Sequence, residues 1–172
     1  MGVPPPATRA LPIPQAPSPI PTATKKRINV RAKGQRGERE VIDILQTYVD
    51  DVRLRYRLQP VVLQRNTLQA HLGGCDIHGL PGFAFEVKFQ ENVQVSQWWL
   101  QTVRQATNLN AIPVLLYRAV RQPWIVKFRV FANTPLDRDQ IELDVTVTLE
   151  DFLTWFVEAY DEACVSELQT LQ

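Results

Sequence analysis

Apolar residues recur at helical spacing through residues 37–52, where Val41, Ile42, Leu45, Val49 and Val52 form one stripe. Glu38 falls on that stripe, a turn ahead of Val41 and Ile42, and is therefore aimed at the protein interior. Glu40, Asp43 and Asp50 fall off it and are expected to face solvent. Farther along, the pattern turns to extended chain. Val61, Val62 and Leu63 mark a strand centre, and residues 64–72 read as a polar loop. Gly79-Leu80-Pro81-Gly82 signals a turn between a short strand bearing Asp76 and another over residues 83–89.

A second helix is predicted over residues 97–108, capped by Ser96, with Trp99, Val103 and Ala106 on an apolar stripe and Gln101, Arg104, Gln105 and Asn108 on a polar one. Residues 112–117 and 124–131 read as strands, the latter alternating Trp124, Val126, Phe128 and Val130 against Lys127 and Arg129. Residues 141–147 form a further strand. Thr148, with Asp151 three residues on, starts a helix whose Phe152, Leu153, Phe156, Ala159, Tyr160 and Ala163 share a face. The order of helix, strands, helix, strands, helix predicts a mixed α/β class.

Three charges break this pattern. Alternation over residues 83–89 sends Phe83, Phe85, Val87 and Phe89 to one face of the strand and Glu86 and Lys88 to the other. Asp76 lies on the neighbouring antiparallel strand, which brings it close to Glu86. Desolvating such groups without partners costs several kcal/mol each, so they are expected to pair with one another or to meet a metal ion.

Composition adds an arm and a charge gradient. Eight of the 13 prolines lie in residues 1–24, which hold a single charged side chain, Arg9, and read as an extended or disordered arm. Prolines interrupt every apolar stretch there, so the arm lacks the continuous core of a secretory signal, and nothing elsewhere is apolar for long enough to span a membrane. Residues 25–131 are expected to form the main core with a basic lead, and residues 132–172 an acidic strand and helix packed on it. Residues 25–58 carry ten Lys and Arg against five Asp and Glu, whereas residues 132–172 carry one Arg against ten acids. The asymmetry suits one surface that meets a polyanion and another that stays away from it or meets a basic partner, although a solvated charged surface without a partner explains it equally well. Cys75 and Cys164 match neither a disulfide framework nor a zinc spacing and read as reduced thiols, which makes the cytoplasm the expected compartment. His71 and His78 read as loop residues without a ligand role, and Trp98 with Trp99 as a core anchor.

Phosphodiester hydrolysis needs an activated water, a Lewis acid on the phosphate and stabilisation of the leaving oxygen, much of which a carboxylate-held Mg²⁺ provides. Magnesium keeps several waters, so two or three carboxylates suffice. Asp76 and Glu86 are the candidates, Glu38 can complete the set from its helix, and Lys88 can orient or deprotonate water or neutralise phosphate charge.

These residues carry a resemblance. Lys33-Gly34-Gln35-Arg36-Gly37-Glu38-Arg39-Glu40-Val41, then Cys75-Asp76-Ile77, then Phe85-Glu86-Val87-Lys88 resembles the PD-(D/E)XK nuclease superfamily, and within it archaeal-type Holliday-junction resolvases and related phage-encoded endonucleases. The motifs cover residues 33–131. The resemblance implies a restriction-endonuclease-like core, a central mixed sheet flanked by helices, here with an additional C-terminal helix. It implies that Glu38, Asp76 and Glu86 bind Mg²⁺, with Mn²⁺ as substitute, that Lys88 is the catalytic lysine, and that Gln101 or Gln105 supports the site from the next helix. Cys75 stands where the superfamily name has proline, a position that varies widely.

The resulting expectation is a Mg²⁺-dependent DNA endonuclease, in its sharpest form a homodimeric Holliday-junction resolvase. Lys25, Lys26, Arg27, Arg31, Lys33, Arg36 and Arg39 would contact phosphates. The apolar face of residues 149–163 or the strand 124–131 can supply a dimer seam, although burial within one subunit explains both equally well. The alternatives are a nicking, single-strand or flap-acting nuclease of phage replication or recombination, and a catalytically silent DNA-binding module that keeps the fold.

Overall fold

The computed structural model describes residues 30–67, 74–133 and 140–170. Helix α1 (Val30–Arg55) is followed by β1 (Gln64–Arg65), β2 (Ile77–His78), β3 (Phe83–Phe89), α2 (Val95–Leu109), β4 (Ile112–Arg118), β5 (Ile125–Asn133), β6 (Gln140–Thr148) and α3 (Leu149–Thr170). The six strands form one sheet in chain order. Every neighbouring pair is antiparallel except β3 and β4, which run parallel because α2 provides the crossover between them. The mixed α/β class and the C-terminal helix are as the sequence pattern predicts.

The main core lies on one face of the sheet, between β3–β5 and helices α1 and α3. Val41, Leu45, Val49 and Val52 of α1 and Phe152, Phe156 and Tyr160 of α3 enclose Phe83, Phe85, Val87, Val114, Leu116, Val126 and Phe128. Phe83, Phe85, Phe152 and Phe156 meet through stacked and edge-on rings, the geometries that aromatic quadrupoles favour. Helix α2 covers the opposite face through Trp98, Trp99, Thr102 and Ala106. The tryptophan pair packs with Leu115, as its reading as an anchor requires. Both faces offered as a dimer seam are thus buried within one subunit. Cys75 and Cys164 are buried and unpaired. Among the described residues, no helix is long and apolar enough to cross a membrane.

Several boundaries differ from the pattern reading. Helix α1 begins at Val30, so Arg31, Lys33 and Arg36 lie on the helix instead of forming a lead into it. Gly37 is tolerated inside it because the space for a side chain is occupied: an added Cβ would sit 3.0 Å from Phe89 Cβ and 3.3 Å from the Trp124 ring. Val61–Leu63 is not strand. The Gln46 amide donates to the Val61 carbonyl at 2.7 Å, and its oxygen accepts from Leu63 N–H at 2.8 Å, so a helix side chain satisfies the backbone groups a ladder would use. Pairing falls instead on Gln64 and Arg65, inside the predicted loop. Helix α2 starts at Val95 with Gln94 as its cap residue and no side-chain cap bond, leaving Ser96 within the helix. Thr148 does cap α3: its hydroxyl accepts from Asp151 N–H at 3.1 Å. On α3, Ala163 is exposed and Cys164 takes the buried place. The Pro-rich arm, Lys25, Lys26, Arg27 and His71 lie outside the described residues.

Candidate active site

Strand β3 carries Glu86 and Lys88, whereas Asp76, predicted on a strand, stands one residue ahead of β2. Ile77 pairs with Phe85, and Asp76 N–H donates to the Phe85 carbonyl at 2.7 Å, which sets Asp76 directly against the start of the Glu86 segment. The Asp76 carboxylate accepts the Val87 N–H at 2.7 Å, so the sheet itself orients it. Because β3 alternates, Phe85 and Val87 enter the main core while Glu86 and Lys88 share the α2 face. Glu86 is 0% and Asp76 5% exposed. Lys88 Nζ donates to Glu86 Oε1, and Gln101 Nε2 from α2 donates to the same oxygen at 3.0 Å.

Asp76 is buried beside a second acid, whose charge opposes its ionisation. Burial and the facing charge of Glu86 push the Asp76 carboxyl up to about 7 from the ordinary 3.8, against the pull of the Val87 N–H and of Lys88. The charge of Glu38 adds to the upward push, so this third acid is near enough to act on Asp76.

Glu38 is half-buried on the inward side of α1, as its spacing predicts, but its carboxylate is engaged by Arg65 of β1. Among the described residues, no three His, Cys, Asp or Glu side chains are gathered closely enough to hold a metal ion. Asp76, Glu86 and Lys88 converge, and Glu38 stands beside them held by an arginine. The donor set still suits a hard divalent cation: oxygen ligands only, with one carboxyl that a cation would let ionise, and two carboxylates are enough for Mg²⁺ with its waters.

The remaining sequence candidates separate. Gln101 touches Glu86, whereas Gln105, one turn on, has a buried Oε1 without a hydrogen-bond partner. Arg31, Arg36 and Arg39 are exposed on α1 and available to a polyanion. Lys33 is half-buried, 4.8 Å above the Phe89 ring and 3.8 Å from Glu91. His78 is exposed. Glu40, expected to face solvent, instead accepts from Trp124 Nε1 at 3.0 Å and Arg118 at 2.6 Å. Arg118 lies between the Phe89 and Trp124 rings, 4.3 and 4.5 Å from their centroids, and this stack ties the start of α1 to the ends of β3 and β4.

Arg65 is the residue that pattern reading missed. It sits in a stretch read as polar loop, and its partner is 27 positions away on a helix. The only available signal was a cation between the helix acid and Asp76, two residues after an apolar triplet.

A search of curated proteins found no match. Among solved structures, the chain is similar to a Holliday junction resolvase of the archaeal hyperthermophile Archaeoglobus fulgidus, at 17% identity and a TM-score of 0.42, over 71% of this chain and 96% of that one. A family model described as "Phage putative PDDEXK endonuclease" matches residues 29–159, extending past the motif-bearing stretch through β6 and into α3. Since that match spans well over half of the sequence and includes all four charged candidates, the chain belongs to this family of phage PDDEXK endonucleases.

Proposed function

We propose that the protein is a Mg²⁺-dependent, structure-selective DNA endonuclease that resolves four-way junctions. The observation that carries the nuclease reading is the convergence of Asp76, Glu86 and Lys88, with Asp76 pushed up to about 7 by burial and by its neighbour acid. A fold that needed only to bind DNA has no reason to retain two buried acids beside each other at this cost. The choice of a junction rests on the resemblance of the sequence motifs to Holliday-junction resolvases.

Asp76 and Glu86 would hold the cation, with Glu38 as a further ligand. The bound Mg²⁺, or Mn²⁺ in its place, would supply a Lewis acid for the scissile phosphate and an activated water. The chain's own groups do the positioning. The Val87 N–H fixes one Asp76 oxygen, Gln101 fixes Glu86, and the sheet holds both rigid. Lys88 reaches the same point with a flexible ammonium that can steady a nucleophilic water or neutralise charge growing on the phosphate. Arg31, Lys33, Arg36 and Arg39, with Lys25, Lys26 and Arg27 ahead of them, would contact backbone phosphates and make binding salt-dependent. Cleavage leaves 5′-phosphate and 3′-hydroxyl ends. Symmetric resolution needs two nicks, so the active form is a homodimer with paired sites.

A labelled four-way junction incubated with Mg²⁺, Ca²⁺ or chelator, with the unaltered chain and with Asp76→Ala, tests this. Paired nicks with Mg²⁺ that vanish in the variant are expected. Equal cutting by both proteins would sink the site assignment, and binding without cutting under any metal would mean a silent module. Preferred cutting of linear, nicked or flapped DNA over the junction would keep the chemistry and replace the substrate.

A further inference from the structure

Each of the three acids has a different keeper. Asp76 is held by a backbone N–H and Glu86 by Lys88 and Gln101, all on the two elements that form the centre of the site. Glu38 is held by Arg65, which comes from β1 at the edge of the sheet. Strand β1 is two residues long and pairs Arg65 with Ile77, the residue after Asp76, so the arginine sits beside Asp76 and Glu86. Its side chain and that of Glu38 retain 20% and 18% exposure, so the pair can be reached from solvent. A guanidinium offers phosphate oxygens the same N–H fork it offers a carboxylate, so a phosphate that reaches this pair can replace Glu38 as the partner of Arg65.

We propose that Arg65 is a substrate-operated latch: in the free protein it holds Glu38 out of the Asp76 and Glu86 site, and a DNA phosphate that takes the guanidinium releases Glu38 to that site. The inference rests on reading the site as that of a metal-dependent DNA endonuclease, and it adds that the set of acids is completed only when DNA is present. Metal binding and DNA binding are then reciprocally coupled through one side chain. Arg65 acts on the cation through Glu38, which makes it a positioning residue, and on DNA by direct contact.

Calorimetric titration of DNA-free protein with Ca²⁺ separates this from a purely structural ion pair, with circular dichroism confirming that each variant is folded. Arg65→Gln is expected to tighten Ca²⁺ binding by about three- to tenfold, as Glu38 is freed. In the Glu38→Gln background the same change should have no such effect, which distinguishes release of Glu38 from simple removal of a positive charge. Duplex binding in chelator, followed by anisotropy across a salt series, should show a log–log slope smaller by about 1 for Arg65→Gln and unchanged for Glu38→Gln. Unchanged or weaker Ca²⁺ binding by Arg65→Gln, an equal gain in both backgrounds, or an unaltered salt slope would overturn the latch. Asp76→Asn distinguishes the two readings. If it binds Ca²⁺ as the unaltered chain does, or neither binds it, the nuclease site and the latch both fall. If it loses Ca²⁺ while Arg65→Gln matches the unaltered chain, only the latch falls.

Discussion

Two regions of this molecule bury charge, and they do so in opposite ways. Between α1 and α3, Arg53 is 7% exposed and meets Glu167 through two bonds of 3.0 Å while also donating to the Tyr160 hydroxyl at 3.3 Å. The bonds to Glu167 raise the guanidinium further above its already high value and hold the Glu167 carboxyl below the usual range. Between β2 and β3, Asp76 faces Glu86, and burial with that like charge raises Asp76 to about 7. The first arrangement satisfies its charges and ties two helices together. The second leaves an unfavourable charge that the fold tolerates because Val87, Gln101 and Lys88 hold the side chains in place. Buried ionic groups are therefore informative about function here by the sign of their neighbours, more than by burial alone.

The contrast breaks most clearly at Asp76. Asp76→Asn should lower single-turnover cleavage on the order of 10³-fold or more, through loss of a cation ligand. The same variant should raise the urea midpoint of the metal-free protein at pH 8, since the amide accepts the Val87 N–H without carrying charge. A lower midpoint would mean that the acid pair stabilises the fold. At the other region, Arg53→Met should reduce unfolding free energy by roughly 1–3 kcal/mol in urea titrations, by loosening α1 from α3, and leave the cleavage rate of the folded enzyme within about twofold.

The pH dependence of stability sharpens the comparison. A carboxyl whose value rises from 3.8 to about 7 on folding holds a proton in the folded state that the unfolded chain has lost. Its contribution to stability is complete below about pH 3.8 and is lost as pH rises to 7. Metal-free protein should therefore lose roughly 1–3 kcal/mol between pH 4 and 7.5 relative to Asp76→Asn, measured by denaturant melts. Parallel profiles for the two proteins would mean that Asp76 titrates normally. The smallest effect is expected at Gln101→Ala, about tenfold in single-turnover rate, because Glu86 keeps Lys88 while losing one orienting donor. A loss as large as that of Asp76→Asn would make Gln101 part of the chemistry itself.

Much of this was legible along the chain. The α1 stripe, the inward direction of Glu38, the alternation that separates Glu86 and Lys88 from Phe85 and Val87, and the Thr148 cap all follow from spacing within one element. The failures share a cause. Gln46 took over the backbone groups of residues 61 and 63, and Arg118 and Trp124 took Glu40. In each case a group distant in sequence overrode a local preference worth at most about 1 kcal/mol.

By itself the sequence determined which side chains share a face, because helical and extended periodicities depend only on backbone geometry. It therefore determined that an acid and a lysine project together from a strand otherwise apolar on that stretch, and that another acid points inward from α1. Only the tertiary structure decided what else those groups meet: that Gln101 rather than Gln105 supports Glu86, and that Glu38 is claimed by Arg65. Such pairings depend on how β1, β2 and α2 are laid against β3, and on desolvation energies that exist only once these elements have packed.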